Sequence, residues 1–291
     1  MQTVKRGRGG SWLLGLGAGT LALAGSAAPA AAVELGADDE IRYVRRDLVL
    51  PRMTVSAWGD LRLLHLEGAA GGGTVYSQNI GARIVPLENL EVYANPFSFY
   101  AGDASGYGPV GLGAKYRFVD SEVFEMGAEL SIPMGQTGPL DFIGMQGGFP
   151  MRIHGGDVFR LDTGVFVAGL FDTSLTGQAL FGLMRVDNAP VPDVDPMIPI
   201  EASIQIVDEF FVGMDMGFGI LDVDRAGDSV FVPMGFRIGG TVAVDNRPFV
   251  DLGAGFRWPF FINSFGGDAV EPGFFEVQLI RADMHFDLGG G

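Results

Sequence analysis

The sequence predicts an all-β chain closed into a transmembrane antiparallel up-and-down β-barrel of about twelve strands. Three observations lead there. Apolar residues recur at every second position over many stretches. Beyond the N-terminus no run of 18 apolar residues occurs, although mean hydropathy is +0.27. The links between alternating stretches are short and long by turns. A helical membrane protein gathers its apolar residues into runs of about 20, whereas a barrel spreads them along the lipid-facing side of every strand.

Residues 209–220 carry the clearest alternation. Phe210, Val212, Met214, Met216, Phe218 and Ile220 share one face, and Glu209, Gly213, Asp215, Gly217 and Gly219 the other. A two-residue period puts alternate side chains on opposite faces of a strand, while a helix would scatter them. Residues 109–118 and 123–134 repeat the pattern. The same reading along the chain gives strands near 52–66, 76–85, 89–99, 108–118, 123–133, 148–154, 157–170, 197–206, 209–220, 229–241, 247–258 and 274–288. In the last of these the apolar face switches from Phe275, Val277 and Leu279 to Ile280, Ala282, Met284, Phe286 and Leu288. A β-bulge near Leu279-Ile280 accounts for the switch.

Links at 86–88, 119–122, 155–156, 207–208 and 242–246 are tight; those at 67–75, 100–107, 134–147, 171–196, 221–228 and 259–273 are long. Short turns at one barrel end and long loops at the other are the pattern of transmembrane barrels. Segment 171–196, with Pro190, Pro192 and Pro196, reads as loop throughout. A soluble sandwich or barrel would alternate as well, with its apolar face inward. Aromatics near strand ends, including Phe97, Phe99, Tyr100, Trp258, Phe260, Phe261 and Phe286, favour the membrane form, where they make interfacial girdles.

The first residues run Lys5, Arg6, Arg8, then an apolar stretch from Trp12 to Ala24, then Ala30-Ala31-Ala32. That order marks residues 1–32 as a cleaved secretory signal peptide. Residues 33–51 then form a periplasmic N-terminal segment, with 33–50 a candidate internal plug, and 52–288 the barrel. Loss of Lys5, Arg6 and Arg8 moves the formal charge from −16 by three further units to −19. So acidic a chain repels nucleic acid. The absence of cysteine removes disulfides, thiolate metal sites and cysteine nucleophiles.

Several motifs then look familiar: Leu48-Val49-Leu50-Pro51-Arg52, Gly81-Ala82-Arg83, Leu90-Glu91-Val92, Leu112-Gly113-Ala114-Lys115-Tyr116-Arg117-Phe118 and Glu129-Leu130-Ser131-Ile132-Pro133. Over residues 47–134 the chain resembles proteobacterial outer-membrane barrels associated with aromatic-compound degradation, a transporter-like group. The resemblance implies an outer-membrane location and an aromatic or amphipathic solute. Outer-membrane lipid, lipopolysaccharide and the barrel assembly machinery would be the partners.

Parity assigns lumen-lining positions. The cations are Arg62, Arg83, Lys115, Arg117, Arg152, Arg160, Arg237, Arg257 and Arg281; the acids are Asp60, Glu91, Glu125, Glu129, Asp162, Glu201, Asp215, Asp251, Glu276 and Asp283. The signs nearly balance. They serve either to cross-link the wall or to orient a dipolar solute, the first being the commoner use. Inward glycines such as Gly113, Gly213 and Gly239 either widen a channel or make room for long side chains. A hydrolase would need a nucleophile beside His65, His154 or His285, and none is visible in the sequence. Asp222-Val223-Asp224-Arg225-Ala226-Gly227-Asp228 begins like a calcium loop but lacks its later acids, so it reads as an acidic turn. No cofactor is called for. A porin-like passive channel for small solutes leads, ahead of a closed structural barrel and, third, a hydrolase.

Overall fold

The structure is a computed structural model that describes residues 41–66, 73–102, 106–107, 110–137, 140–172, 193–220, 230–244, 247–263 and 275–288. Residues 1–32, read as a signal peptide, residues 33–40 of the candidate plug and the acidic turn at 222–228 lie outside the described residues, as does most of the long loop.

Twelve long strands form one antiparallel sheet: β1 (Thr54–Leu66), β2 (Gly73–Leu87), β3 (Leu90–Gly102), β5 (Val110–Val119), β6 (Phe124–Thr137), β7 (Leu140–Gly155), β8 (Phe159–Asp172), β9 (Asp193–Val207), β10 (Phe210–Ile220), β11 (Val230–Val244), β12 (Arg247–Asn263) and β13 (Phe275–Asp287). The two-residue β4 (Gly106–Tyr107) only extends the top of β3. Each long strand pairs with its neighbour in sequence, and β13 returns to β1 from Thr54↔Asp287 to His65↔Phe275. The sheet is therefore a closed barrel without edges, which leaves no ladder groups to satisfy in lipid.

Which face points inward separates the membrane barrel from the soluble one. Ile80, Leu112, Tyr116, Leu130 and Ile238 are 44–53 % exposed, whereas Arg83, Lys115, Glu125, Arg152 and Arg160 are 0–3 % exposed. Each large apolar side chain left in water costs about 1.5–3 kcal/mol relative to burial. Only a hydrocarbon surround makes such an outer wall favourable.

The bulge lies where the apolar face switches: Leu61 pairs with Ile280 and Arg62 with Gln278, leaving Leu279 without a partner in register. Within the link expected at 134–147, residues 134–137 and 140–147 are paired strand, with Met134↔Ile143 and Thr137↔Leu140 in register. Gly135 and Gly144 sit within paired ladder, opposite Phe142 and Leu170. β9 likewise begins at Asp193 rather than near 197, and β12 runs on to Asn263. Tight turns hold Asn89 at φ 64° and Gly156 at φ 64°, the left-handed region that Asn and Gly enter at low cost.

The inward glycines are occupied space. A Cβ on Gly113 would fall 2.4 Å from the Tyr93 ring, one on Gly239 2.2 Å from Phe211, and one on Gly213 2.5 Å from Arg237. Each of these partners is the residue directly opposite on the neighbouring strand. The glycines admit large cross-strand side chains to the wall and do not widen the lumen.

Candidate functional site

Residues 41–50 enter the barrel at the end that carries the tight turns. A 3-10 turn over Tyr43–Arg45 is flanked by extended backbone, and Tyr43, Val44, Arg46, Leu48, Val49 and Leu50 are all buried. At the rim Arg42 Nη1 lies 3.0 Å from Asp157 and its Nε donates to Asp208 at 2.7 Å, both acids being in tight turns. Deeper in, Tyr43 stacks on Phe211 with centroids 3.9 Å apart, and the Arg160 guanidinium lies 3.8 Å from the Tyr43 ring centre. Such a desolvated cation–π contact is worth about 2 kcal/mol.

The segment's backbone has no strand partner here, so side chains of the wall supply its hydrogen bonds. Arg160 donates to Tyr43 O at 2.7 Å, His154 Nδ1 to Val44 O at 2.9 Å and Arg152 to Arg46 O at 2.7 Å. Val44 N donates to Gln205 Oε1 at 3.2 Å and Leu48 N to Glu125 Oε2 at 2.7 Å. Arg46 is fully buried; it donates to Asp251 and, at 2.6 Å, to Thr241 Oγ1. Asp251 also accepts from Thr241 at 2.7 Å and faces His285 Nε2 at 2.9 Å.

The parity-assigned residues fall into three groups. Around the segment stand Arg117, Glu125, Arg160, Asp162 and Asp251, with Arg83 and Asp283 paired beside them. Along the wall, Arg62 links Glu276 at 2.9 Å and Asp60 at 2.8 Å, Lys115 lies 3.3 Å from Glu91, and Tyr93 OH donates to Glu129 at 2.6 Å. The third group borders a cavity with about 820 Å³ of empty space, part of it open to solvent, and includes Arg62, Glu201, Asp215, Arg237, Arg257, Glu276 and Arg281. Arg237 joins cavity to segment, pairing with Glu201 while its Nη1 lies 3.4 Å from Tyr43 OH. Thus the tight-turn end is filled with protein, and open space begins beyond it.

Three positions had no individual role in the sequence reading, although two of them lie in the stretch 33–50 that it offered as a candidate plug. Arg46, Tyr43 and Gln205 become partners only through folding, because Arg46 and Asp251 are 205 residues apart. The third histidine gains a neighbour too: Ser56 Oγ, from β1, lies 2.9 Å from His285 Nδ1. With Asp251 at Nε2 this has the connectivity of a serine–histidine–aspartate triad. Ser56 is 0 % exposed, however, and its Oγ also takes Arg83 Nε at 3.1 Å. No substrate reaches it, and the trio acts as a hydrogen-bonded wall strut. Asp47, Glu125 and His154 bring ligand atoms within 4.8 Å of one another, but Arg117 Nη1 already donates to both carboxylates, at 2.9 and 3.2 Å.

Burial, and Glu125 beside it, push the Asp47 carboxyl above its ordinary range despite Arg117. A carboxyl whose value is raised on docking takes up a proton as pH falls, so docking strengthens toward acid between the ordinary and the raised value. Asp47→Asn, which mimics the protonated form, is therefore expected to leave the segment seated at neutral pH, with single-channel conductance no higher than wild type. A more conductive variant would show instead that the Arg117 bridge outweighs burial.

No family model and no curated protein matches the sequence. Among solved structures, an outer-membrane channel from Pseudomonas putida F1 is similar over 82 % of this chain and 97 % of that one, with TM-score 0.54 at 13 % identity. The NanC porin is similar over 79 % of this chain and 98 % of its own, with TM-score 0.51 at 8 % identity. At such identities the likeness is one of fold.

Proposed function

We propose that the mature chain is an outer-membrane channel for small solutes, with its tight turns in the periplasm and its lumen constricted there by residues 41–50. The observation that carries this reading is a charged, solvent-bearing cavity inside a barrel whose outer wall is apolar. A purely structural barrel has no use for such space, because a side-chain-filled interior would be more stable. The two similar structures, a channel and a porin, add support at the level of fold. The resemblance to barrels of aromatic-compound degradation suggests a solute with an apolar body.

A closed structural barrel is the second reading, favoured by the density of fully buried pairs at the plugged end, among them Arg152 and Arg160 on Asp162. Planar-bilayer recording of the purified, folded protein separates the two. A small, steady ion conductance is expected; a folded barrel silent at every salt concentration would sink the channel reading.

A further inference from the structure

We propose that the lumen cavity holds a recognition site for small organic carboxylates with an apolar body, centred on Arg257 and assisted by Arg281. The inference deepens the channel reading by naming a solute class, and takes its biological meaning from that reading.

The argument begins with what each guanidinium in the cavity already holds. Arg62 uses both terminal nitrogens on Glu276 and Asp60. Arg237 is paired with Glu201 and donates to Ser203 at 2.7 Å. Arg281 has only a long contact, 3.8 Å to Asp283, whose near partner is Arg83; its side chain remains 24 % exposed. Arg257 stands apart: among the described residues it has no ion pair, and its Nε is buried without a hydrogen-bond partner. Its opposite residue on β13, Glu276, is turned to Arg62 instead.

An interior arginine without a counter-charge is costly unless something else supplies one. That it stands so in a chain of net charge −16 means the uncompensated positive charge has been placed inside while excess acid lies elsewhere. A planar guanidinium matches a carboxylate in a two-point hydrogen-bonded fork, which a lysine could not do. Gln278, a further donor, follows Arg257 along the same wall, opposite Gly255. The same cavity is lined by Met197, Pro199 and Pro233 and by the acids Glu201, Asp215 and Glu276, of which Glu201 and Glu276 are paired with Arg237 and Arg62. A guanidinium without a pair, in a cavity that also offers apolar surface, suits a molecule with an anionic end and an apolar body.

Because Arg257 pairs with none of the described residues, Arg257→Gln is expected to fold and to unfold at the same temperature as wild type or higher. Benzoate is the probe, titrated by calorimetry into the full mature chain in detergent, with benzyl alcohol and benzylammonium as neutral and cationic counterparts and acetate lacking the ring. Benzoate is expected to bind more tightly than all three. Arg257→Gln should weaken benzoate about tenfold or more, with Arg281→Gln giving a smaller loss. Equal binding of benzoate and benzylammonium, or full benzoate affinity in the Arg257→Gln variant, would overturn the proposal. A wild-type barrel that binds benzoate yet passes no current would refute the channel and leave the site standing; one that conducts without preferring benzoate would do the reverse.

Discussion

Deleting residues 41–50, with residue 40 joined to Pro51, is expected to raise single-channel conductance about tenfold, because the deletion empties the only described constriction at the tight-turn end. The wall does not depend on the segment for its ladder: β1 still pairs with both β2 and β13. The groups left behind, chiefly Arg152, Arg160, Glu125 and Asp251, would face a widened lumen where water replaces their lost partners. Heat-modifiable mobility on a detergent gel checks that the shortened barrel has folded. Unchanged conductance from a folded barrel would mean that the constriction lies elsewhere.

Arg46→Ala is expected to destabilise the protein by about 3–5 kcal/mol, since removing one member of a buried pair leaves the other uncompensated. Asp251 would keep only Thr241 and His285, and the segment would lose its deepest anchor. Adding Asp251→Asn removes the orphaned charge, so the double variant should recover part of the loss, a coupling readable from thermal unfolding of the two single variants and the double. Strict additivity would show that Arg46 acts on the barrel by some route other than Asp251.

Much of the barrel was legible because a two-residue period leaves its mark on local sequence. The face of β10 and the bulge at Leu279 follow from counting alone. The hairpin of β6 and β7 was hidden by its own composition, since glycines such as Gly135 and Gly144 blur the alternation where cross-strand neighbours hold them in register. Burial of the acidic and basic positions resolved what alternation could not, namely which face meets lipid. Partner choice was the least legible layer. Lys115 sits opposite Glu91 on one side and Glu129 on the other, and takes Glu91 as its ion-pair partner. Arg237 turns to Glu201 rather than toward Asp251. Such choices follow from register and side-chain reach, which no spacing within one strand encodes. The sequence offered residues 33–50 as a candidate plug but not the partners of the inserted stretch, which come from β5 through β12, none near it in sequence.

The place of that segment also orders events during assembly. It is the first described stretch of the chain, yet its anchor Asp251 is 205 residues away and His285, which braces Asp251, lies on the final strand. Contacts of such separation form late, because the loop they close must be ordered first. The seam locks beside the segment's exit, where Leu288 N donates to Met53 O at 3.0 Å. The carbonyls of Tyr43, Val44 and Arg46 take their partners from β7 and β8, whereas the brace on Asp251 is complete only when the last strand is in place. Zipping the last strand to the first and fixing the segment's deepest anchor are thus coupled, although the two lie far apart in the chain.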